Sequence, residues 1–478
     1  MSEETPLLAG GSPYDRFSRP EKRLFVAIVA WTALLPLFVS GSFVPSIPQI
    51  ASDLHTTASV ISLAVSMAVL ATAIGSLSSA SYSTFYGRRP IYIFCLPFLC
   101  VGSFGVGLST TVPELLVWRF MQALGASCGW SLGAAVIGDL YKLEERGTAL
   151  GVYYGMAMLG PALAPLCGGL AAHYSSWRHM QYIIGLSGVI AFLAVLILLP
   201  ETMHLGTSGI EKFIRATGSS RRLFWINPLA SLSLLRSPNL LAASITGTTA
   251  LITDFVLLLP LAYTIGQRYG ISNEALIGAC FLPSGLGNMV GGVFSGRLSD
   301  YMVKKWRKRR GGEWVPEDRL RAAIFSSAVL VPASVLCSGL VVQFVGGTLG
   351  LVLSLLCLFF NGMAVSSHQS LPLLLADEKY YDDQLVSVLS TISAYAVDIL
   401  HHRSAEAVAA SNGLRALFLA FGSAAIMPLM QSIGPLATDA IAAGLAWLSF
   451  IALVVTIKYG DRMRAWIDVG YSTAEENS

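Results

Sequence analysis

Residues 179–200 read HMQYIIGLSGVIAFLAVLILLP, 22 residues without Asp, Glu, Lys or Arg. As an α-helix this run is about 33 Å long, enough to cross the roughly 30 Å hydrocarbon core of a bilayer. It therefore predicts a membrane-spanning helix. Runs of the same kind recur on both sides of it and predict twelve spanning helices in all. They lie at residues 24–47, 59–82, 91–110, 114–138, 148–172, 179–200, 240–266, 275–298, 321–344, 348–375, 405–432 and 436–457.

The composition agrees with an all-α polytopic membrane protein. Of the 478 residues, 54% are hydrophobic and 12% are charged, against about 25% charged in soluble domains. Seven cysteines in apolar stretches fit small buried side chains better than a disulfide scaffold. The sequence contains no Walker A motif, no G-x-S-x-G motif and no cluster at metal-ligand spacing. We therefore predict that the protein is not an enzyme and binds neither a cofactor nor a metal.

The twelve runs form two groups of six around a polar, basic stretch, a duplication typical of secondary transporters. The predicted units are an N-terminal tail (1–23), a first bundle (24–200), a linker (201–239), a second bundle (240–458) and a C-terminal tail (459–478). With both termini in the cytoplasm, 27 of the 31 Lys and Arg residues lie on that side and 2 on the other, as the positive-inside rule expects. Residues 376–404 are too polar for a clean span. They either extend the tenth helix or lie at the membrane interface.

Three ionisable residues stand out inside predicted spans, where charge is costly and marks candidate functional sites. They are Arg119 in the fourth span, Asp254 in the seventh and Arg415 in the eleventh. One interpretation places them in a water-filled cavity, where Asp254 takes up and releases a proton because burial disfavours a charged carboxylate. The other pairs Asp254 with Arg415 as a structural ion pair and satisfies Arg119 through helix ends and Gln122.

Glycine and proline are concentrated in the fifth span, at Gly155, Gly160, Pro161 and onward to Gly169. Small residues let helices approach closely and proline bends a helix. The pattern predicts a packing or gating role, whereas loose small-residue packing is the generic interpretation.

The loop after the second span, Gly87-Arg88-Arg89-Pro90, presents two arginines on the same side as Asp139 and Arg146. One interpretation is a cytoplasmic charge network that breaks when a transporter opens inward. The other is anchoring by positive charge alone.

Taken together, these motifs resemble the major facilitator superfamily, and within it the fungal twelve-helix drug:proton antiporters. The resemblance covers about residues 24–460. Gly87-Arg88-Arg89-Pro90 is similar to the end of the family's loop 2–3 motif, and the segment Gly296 to Asp300 resembles its repeat between helices 8 and 9. Arg119-x-x-Gln122-x-x-Gly125 is similar to the helix 4 motif linked to proton transfer. The glycines and prolines of the fifth span resemble the antiporter motif, and the family implies a monomer.

Two departures from the family pattern matter. Thr84 stands where the loop 2–3 motif has an aspartate that caps a neighbouring helix, whereas Asp300 keeps this acid in the second half. The first span holds no acid, which argues against recognition of cationic drugs there.

The sequence thus predicts a proton-coupled exporter of small organic compounds such as drugs or secondary metabolites. Asp254 is the expected proton carrier, with Arg119 and Gln122 near the relay and Arg415 on the same pathway. The alternative is a dedicated exporter of an organic acid, because two arginines against one aspartate in the spans favour an anionic ligand. A non-transporting sensor and a passive channel fit less well, since the tails are short and no filter-like segment is present.

The expected partners are the lipid bilayer, a small-molecule substrate and protons, with no nucleic acid. The expected location is the plasma membrane. Residues Glu3 to Leu8, EETPLL, also fit an acidic dileucine signal for the vacuole or endosome.

Overall fold

The computed structural model describes residues 13–141, 146–204, 209–217, 227–228, 230–312, 315–365, 392, 395–396, 399 and 404–467. In these residues all regular structure is helical. The long helices are α1 (Arg19–Gly41), α2 (Ala58–Tyr86), α3 (Arg88–Leu108), α4 (Val112–Leu140), α5 (Arg146–Tyr174), α6 (Trp177–Leu198), α7 (Pro238–Leu258), α8 (Leu282–Arg309), α9 (Val331–Phe344), α10 (Gly347–Val365), α11 (Ser404–Ile433) and α12 (Pro435–Trp466).

Eleven helices in the described part of the chain are long and apolar enough to cross a membrane. The helix that falls short is α8, because its last turn is basic and its first half is rich in glycine. A short helix, Glu274–Ala279, precedes it and completes the eighth predicted run. The prediction of an all-helical polytopic protein is confirmed, with the eighth span as its least apolar member.

Local sequence explains where several helices begin. Glu21 and Ser18 form a capping box at the start of α1, which satisfies backbone donors that a first helical turn leaves free. The Ser237 hydroxyl accepts a hydrogen bond from the backbone of Leu240 at the start of α7. Gly87 joins α2 to α3 in a single residue with φ +104°, a conformation that side chains rarely tolerate.

The two halves of the chain pack against each other along α2 and α11, which run antiparallel. Ser59 near the start of α2 donates a hydrogen bond to Gln431 near the end of α11 (2.7 Å). Further along, the hydroxyls of Ser66 and Ser423 share one of 2.9 Å. Gly413 near the start of α11 packs against Leu77. Hydroxyls and small side chains therefore contribute to this interface, together with larger apolar side chains of both helices.

One face of the bundle carries both the start of α1 and the end of α12, and we call it the terminal face. Lys22 of α1 lies over the ring of Tyr141, which follows α4 (5.3 Å). Asn239 at the start of α7 donates to the carbonyl of Gly460 in α12 (3.2 Å). The opposite face, where α1 leads towards α2 and α11 meets α12, is the distal face.

The second half has the more irregular backbone. Residues Ala262–Gly266 after α7 and Ser326–Leu330 before α9 are π-helical, and Pro316–Ala323 is a 3₁₀ segment. In contrast, α5 continues from Arg146 to Tyr174 although Pro161 and Pro165 lie inside it. Short π segments occur frequently at functional sites, so the groups around these two segments are candidate functional groups.

The predicted segment 376–404 lies largely outside the described residues. Its described members Ile392, Tyr395, Ala396 and Ile399 are fully buried. Their spacing of three, one and three residues is that of one helix face, so this face packs against the bundle.

Candidate functional site

Arg119 lies fully buried in α4 and is held by neutral partners. Its guanidinium donates to the side-chain oxygen of Gln122 (2.6 Å) and to the backbone carbonyl of Val39 (2.9 Å). It also lies over the ring of Phe43, 4.2 Å from the centroid, a cation–π contact. Its Nε has no hydrogen-bond partner among the residues that the structure describes. Of the two interpretations offered by the sequence, the hydrogen-bonded arrangement is the one that the structure contains.

Gln122 links this arginine to two other helices. Three residues after Arg119, it lies on the same helix face and is itself fully buried. Its amide nitrogen donates to Ser103 in α3 and to Gln181 in α6, both at 2.9 Å. Gly102 allows the close approach, since a Cβ there would lie 2.5 Å from the backbone nitrogen of Gln122. The result is a connected polar network across α1, α3, α4 and α6.

Asp254 is held much more loosely. It is only partly buried in α7, and its Oδ1 accepts one long hydrogen bond, from Ser284 of α8 (3.4 Å). Within the described residues it forms no ion pair, so the structural pairing with Arg415 is not present. A partly exposed carboxylate that accepts only one weak hydrogen bond can still bind and release a proton.

Arg415 lies in α11 with 6% of its surface exposed. One terminal nitrogen donates to Asn412, and the other, NH1, is buried without a partner among the described residues. Among the described side chains no carboxylate pairs with it. An arginine nitrogen in this state can bind an acceptor supplied from elsewhere.

Charged groups of the first half meet at the terminal face. The Nε of Arg88 contacts Asp139 (3.1 Å) and its NH1 contacts Ser83 (3.0 Å). Arg89 donates to the carbonyl of Leu196 (2.8 Å). Arg88 and Asp139, two members of the charge network offered by the sequence, therefore form an ion pair, and the breaking of that network during transport stays a prediction. The side chains of Arg146 and Asp300 and the surroundings of Gly296 lie outside what the structure describes, so the roles of these residues stay predictions.

A carboxylate that the sequence did not single out caps α3. Glu201 accepts hydrogen bonds from the backbone nitrogens of Arg88 (3.0 Å) and Arg89 (3.1 Å). An acid at this position satisfies free donors and complements the positive end of the helix dipole. Thr84 leaves the family's usual capping position without an acid, and Glu201, which follows α6 at the terminal face, caps α3 instead. In the sequence, the indication of this cap was the segment Pro200-Glu201-Thr202 directly after the sixth span.

A second buried cluster at the terminal face belongs to the second half. Glu317, 2% exposed, pairs with Arg464 of α12. It also accepts hydrogen bonds from Tyr395 (3.0 Å) and Asn239 (3.3 Å). These residues are far apart in sequence, so no local pattern pointed to the cluster.

The glycines of α5 serve two different interfaces. Gly160 packs on Leu37, and Gly168 on the backbone of Ser42, both in the α1 region. Gly169 faces the carbonyl of Glu274, which belongs to the other half. Ala162 of α5 likewise meets Gly285 of α8, where a Cβ would come within 2.5 Å. Gly155 and Pro161 are partly buried. Specific packing is therefore present, and gating stays a prediction.

At the distal face, a polar contact joins the halves where α5 ends. The His173 ring nitrogen Nδ1 lies 3.1 Å from a Glu274 carboxylate oxygen. Asn273 contacts the other ring nitrogen of His173 at 3.3 Å. With the Gly169 packing beside it, this contact closes the distal end between α5 and the helix Glu274–Ala279.

The structure also adds a membrane-embedded acid that the sequence analysis missed. Asp439, in the second turn of α12, is 5% exposed. It escaped notice because it lies only four residues inside the twelfth predicted run, close to polar Thr438.

Comparison with known proteins identifies similar chains. The sequence model of the Major Facilitator Superfamily matches residues 25–397. Citrate exporter 1 of Aspergillus niger is 24% identical, with 95% of this chain and 88% of the relative covered. Multidrug transporter AQR1 of Candida glabrata is 23% identical, with 97% and 80% covered. Among solved structures, the human organic anion transporter MFSD10 (TETRAN) superposes with a TM-score of 0.59 at 18% identity, covering 91% of this chain and all of that one.

Proposed function

This chain belongs to the Major Facilitator Superfamily and is a membrane transporter, and on that premise we propose that it is a proton-coupled exporter of small organic compounds working by alternating access. The observation that carries the proposal is the state of Asp254. It is an acid inside a spanning helix with partial access, one long hydrogen bond and no described cationic partner.

Proton coupling needs an acid that can change its charge during the cycle. Asp254 meets this condition because neither a strong donor nor a fixed arginine holds it ionised. Arg119 instead belongs to a hydrogen-bonded network of neutral groups, so we assign it a positioning role near the relay. A proton crossing 100 mV supplies about 2.3 kcal/mol, enough for a substrate ratio of about fifty.

Alternating access requires that the halves separate at one face while they stay together at the other. Hydroxyl pairs and small residues make up much of the described contact along α2 and α11, and between α5 and α8. Such contacts are individually weak and exchange readily with water. The contact of His173 with Glu274 closes the distal face, which supports a resting state with that face shut.

We further propose that the terminal face lies in the cytoplasm and that the protein acts as a monomer in the plasma membrane. Basic side chains mark the terminal face, among them Arg88 and Arg464, as the positive-inside rule expects. Single cysteines introduced at exposed positions of each face of a cysteine-free variant test this. An impermeant thiol reagent added to intact cells is expected to label only the distal face.

The deciding experiment is transport in proteoliposomes under an imposed pH gradient. A labelled dicarboxylate and a lipophilic cation are offered in parallel, with and without a protonophore. Accumulation of at least one compound that the protonophore abolishes supports the proposal. Transport that ignores both the gradient and the protonophore would contradict proton coupling.

A second candidate within this scheme is an organic acid as the substrate, and Arg415 favours it. Its buried NH1 has no partner in the part of the chain that the structure describes, and a substrate carboxylate could supply one in the geometry that arginine prefers. Two similar proteins carry names that refer to citrate and to organic anions, whereas a third is named for multiple drugs.

Replacing Arg415 separates the two substrate classes. Arg415→Leu is expected to raise the KM for the dicarboxylate at least tenfold and to leave the lipophilic cation unaffected. Arg268→Leu, at an exposed position on the distal side, is the matched control. An unchanged KM for the acid in Arg415→Leu would remove the acid-substrate candidate.

A further inference from the structure

A narrow cavity lies within the second half, near the distal face. It has a volume of about 10 Å³, room for about one water molecule. Helices α7, α9, α10, α11 and α12 enclose it. Its wall consists of Val256, Leu257, Thr264, Ile265, Ser338, Val342, Leu358, Met430, Pro435 and Asp439.

Asp439 is the one acid in this wall. With 5% of its surface exposed, it has no hydrogen-bond or ion-pair partner in the described part of the chain. Gly339 of α9 makes room for it, since a Cβ there would lie 2.8 Å from Oδ2 of Asp439. The carboxyl group thus lies close to a neighbouring helix and lines the cavity.

The backbone and the hydroxyls around the cavity suit a small polar occupant. Ser338 is 4% exposed and has no partner among the described residues, so its hydroxyl remains free to bind what the cavity holds. Thr264 and Ile265 come from the π-helical segment Ala262–Gly266, whose wider turn carries these side chains to the cavity wall.

We propose that Asp439 and this cavity form a second proton-binding site, separate from Asp254, in which a single water bridges the carboxyl group and Ser338. An ionised carboxylate here would have the bridging water as its only donor and no counter-ion among the described residues, whereas the protonated form can donate to the water. None of the other described wall residues titrates or carries charge. A metal cation does not fit, because one carboxyl group and two hydroxyls fall short of the six to eight oxygens that a hard cation such as Ca²⁺ requires.

The site stands apart from the proposed export function, because a proton can bind there whether or not transport is proton-coupled. Its participation in coupling does rest on that function. The experiment therefore measures proton binding and transport separately on the same preparations.

Infrared difference spectra of the full-length protein in lipid vesicles, recorded across a pH titration, report protonated carboxyl groups directly. In an Asp254→Asn background we expect a carbonyl band that titrates and shifts in deuterated water. This band should vanish when Asp439→Asn is added. Ser338→Ala should keep the band but move its frequency, because the water loses one of its partners.

Ser449→Ala is the matched control, since Ser449 lines a different water-sized cavity that contains no acid. It should leave the band unchanged. A spectrum that is identical with and without Asp439→Asn would overturn the site. If Asp439→Asn does not fold, Gly339→Ala tests the same point, because the added methyl displaces the carboxyl group and should shift the band. Protonophore-insensitive transport with an intact Asp439 band would refute proton coupling and leave the site standing.

Discussion

Each half contains a buried arginine with an amide side chain one helical turn away. The two amides differ in how many other helices they contact. In α4, Gln122 accepts from Arg119 and also donates to Ser103 and Gln181 on two other helices. In α11, Asn412 accepts from Arg415, and no further partner of Asn412 is described. The same local motif is thus a cross-helix clamp in one half and a loose pair in the other.

The difference extends to the acids and the backbone. In the first half, Arg119 is held by two hydrogen bonds and a cation–π contact, although its Nε has no partner among the described residues, and the described helices there contain no π segment. The second half holds Asp254 on one long hydrogen bond, Asp439 on none that is described, and two π-helical segments. Fixed polar networks resist reorganisation, whereas free charges and irregular turns permit it. We therefore expect proton and substrate chemistry mainly in the second half, supported by a stiffer first half.

The largest expected effect is that of Asp254→Asn. The amide keeps the size of the side chain and cannot change charge, so transport driven by a pH gradient should be abolished. Counterflow exchange of labelled for unlabelled substrate needs no net proton movement and should persist. Both activities are measured in the same proteoliposomes. Loss of both would point to a structural role for Asp254.

The hydrogen bonds of Gln122 to Arg119, Ser103 and Gln181 predict a large loss of stability when Gln122 is replaced. Gln122→Leu leaves Arg119, Ser103 and Gln181 short of partners, and buried unsatisfied groups cost about 1–3 kcal/mol each. We expect the free energy of unfolding to fall by about 2–4 kcal/mol. Asn412→Leu, the counterpart in α11, should cost less than half as much. Chemical denaturation in a fixed lipid–detergent mixture measures both, and equal losses would remove the contrast between the halves.

A smaller effect is expected at the contact between the halves. Gly285→Ala places a methyl group against Ala162 across the interface, and overpacking of this kind costs about 1–3 kcal/mol. The transport rate should fall severalfold, because the added methyl group disturbs the close packing of α5 against α8. Gly444→Ala, where nothing lies within 4 Å of the added methyl, is the control and should behave like the unaltered protein. An unaltered rate in Gly285→Ala would argue against gating at this contact.

The smallest effect is expected for the cap of α3. Glu201→Gln keeps one acceptor for the backbone nitrogens of Arg88 and Arg89 but removes the negative charge. The loss should be about 1 kcal/mol in the free energy of unfolding. It should also shrink at high salt, since charge interactions near the surface are screened. A loss that ignores salt would show that hydrogen bonding alone accounts for the cap.

The sequence by itself determined the fold class, the approximate span boundaries and three of the buried charges. The reason is that a bilayer imposes simple, local requirements. A spanning helix needs about twenty apolar residues, and each charged side chain inside it costs free energy. The run at 179–200, for example, became α6 with bounds shifted by two residues at each end. The sequence also placed Arg88 and Asp139 on one side of the membrane, and the structure then showed that the two side chains form an ion pair.

Only the tertiary structure decided how each charge is satisfied. Gln181 and Ser103 complete the Arg119 network from helices far along the chain, and no spacing rule links them to α4. Glu201 proved to be the cap of α3, and Asp439 proved to face a cavity instead of the aqueous boundary. Hydrogen bonds and cavities depend on which helices become neighbours and how closely glycine lets them approach, and those distances are set by packing between helices, which no single span encodes.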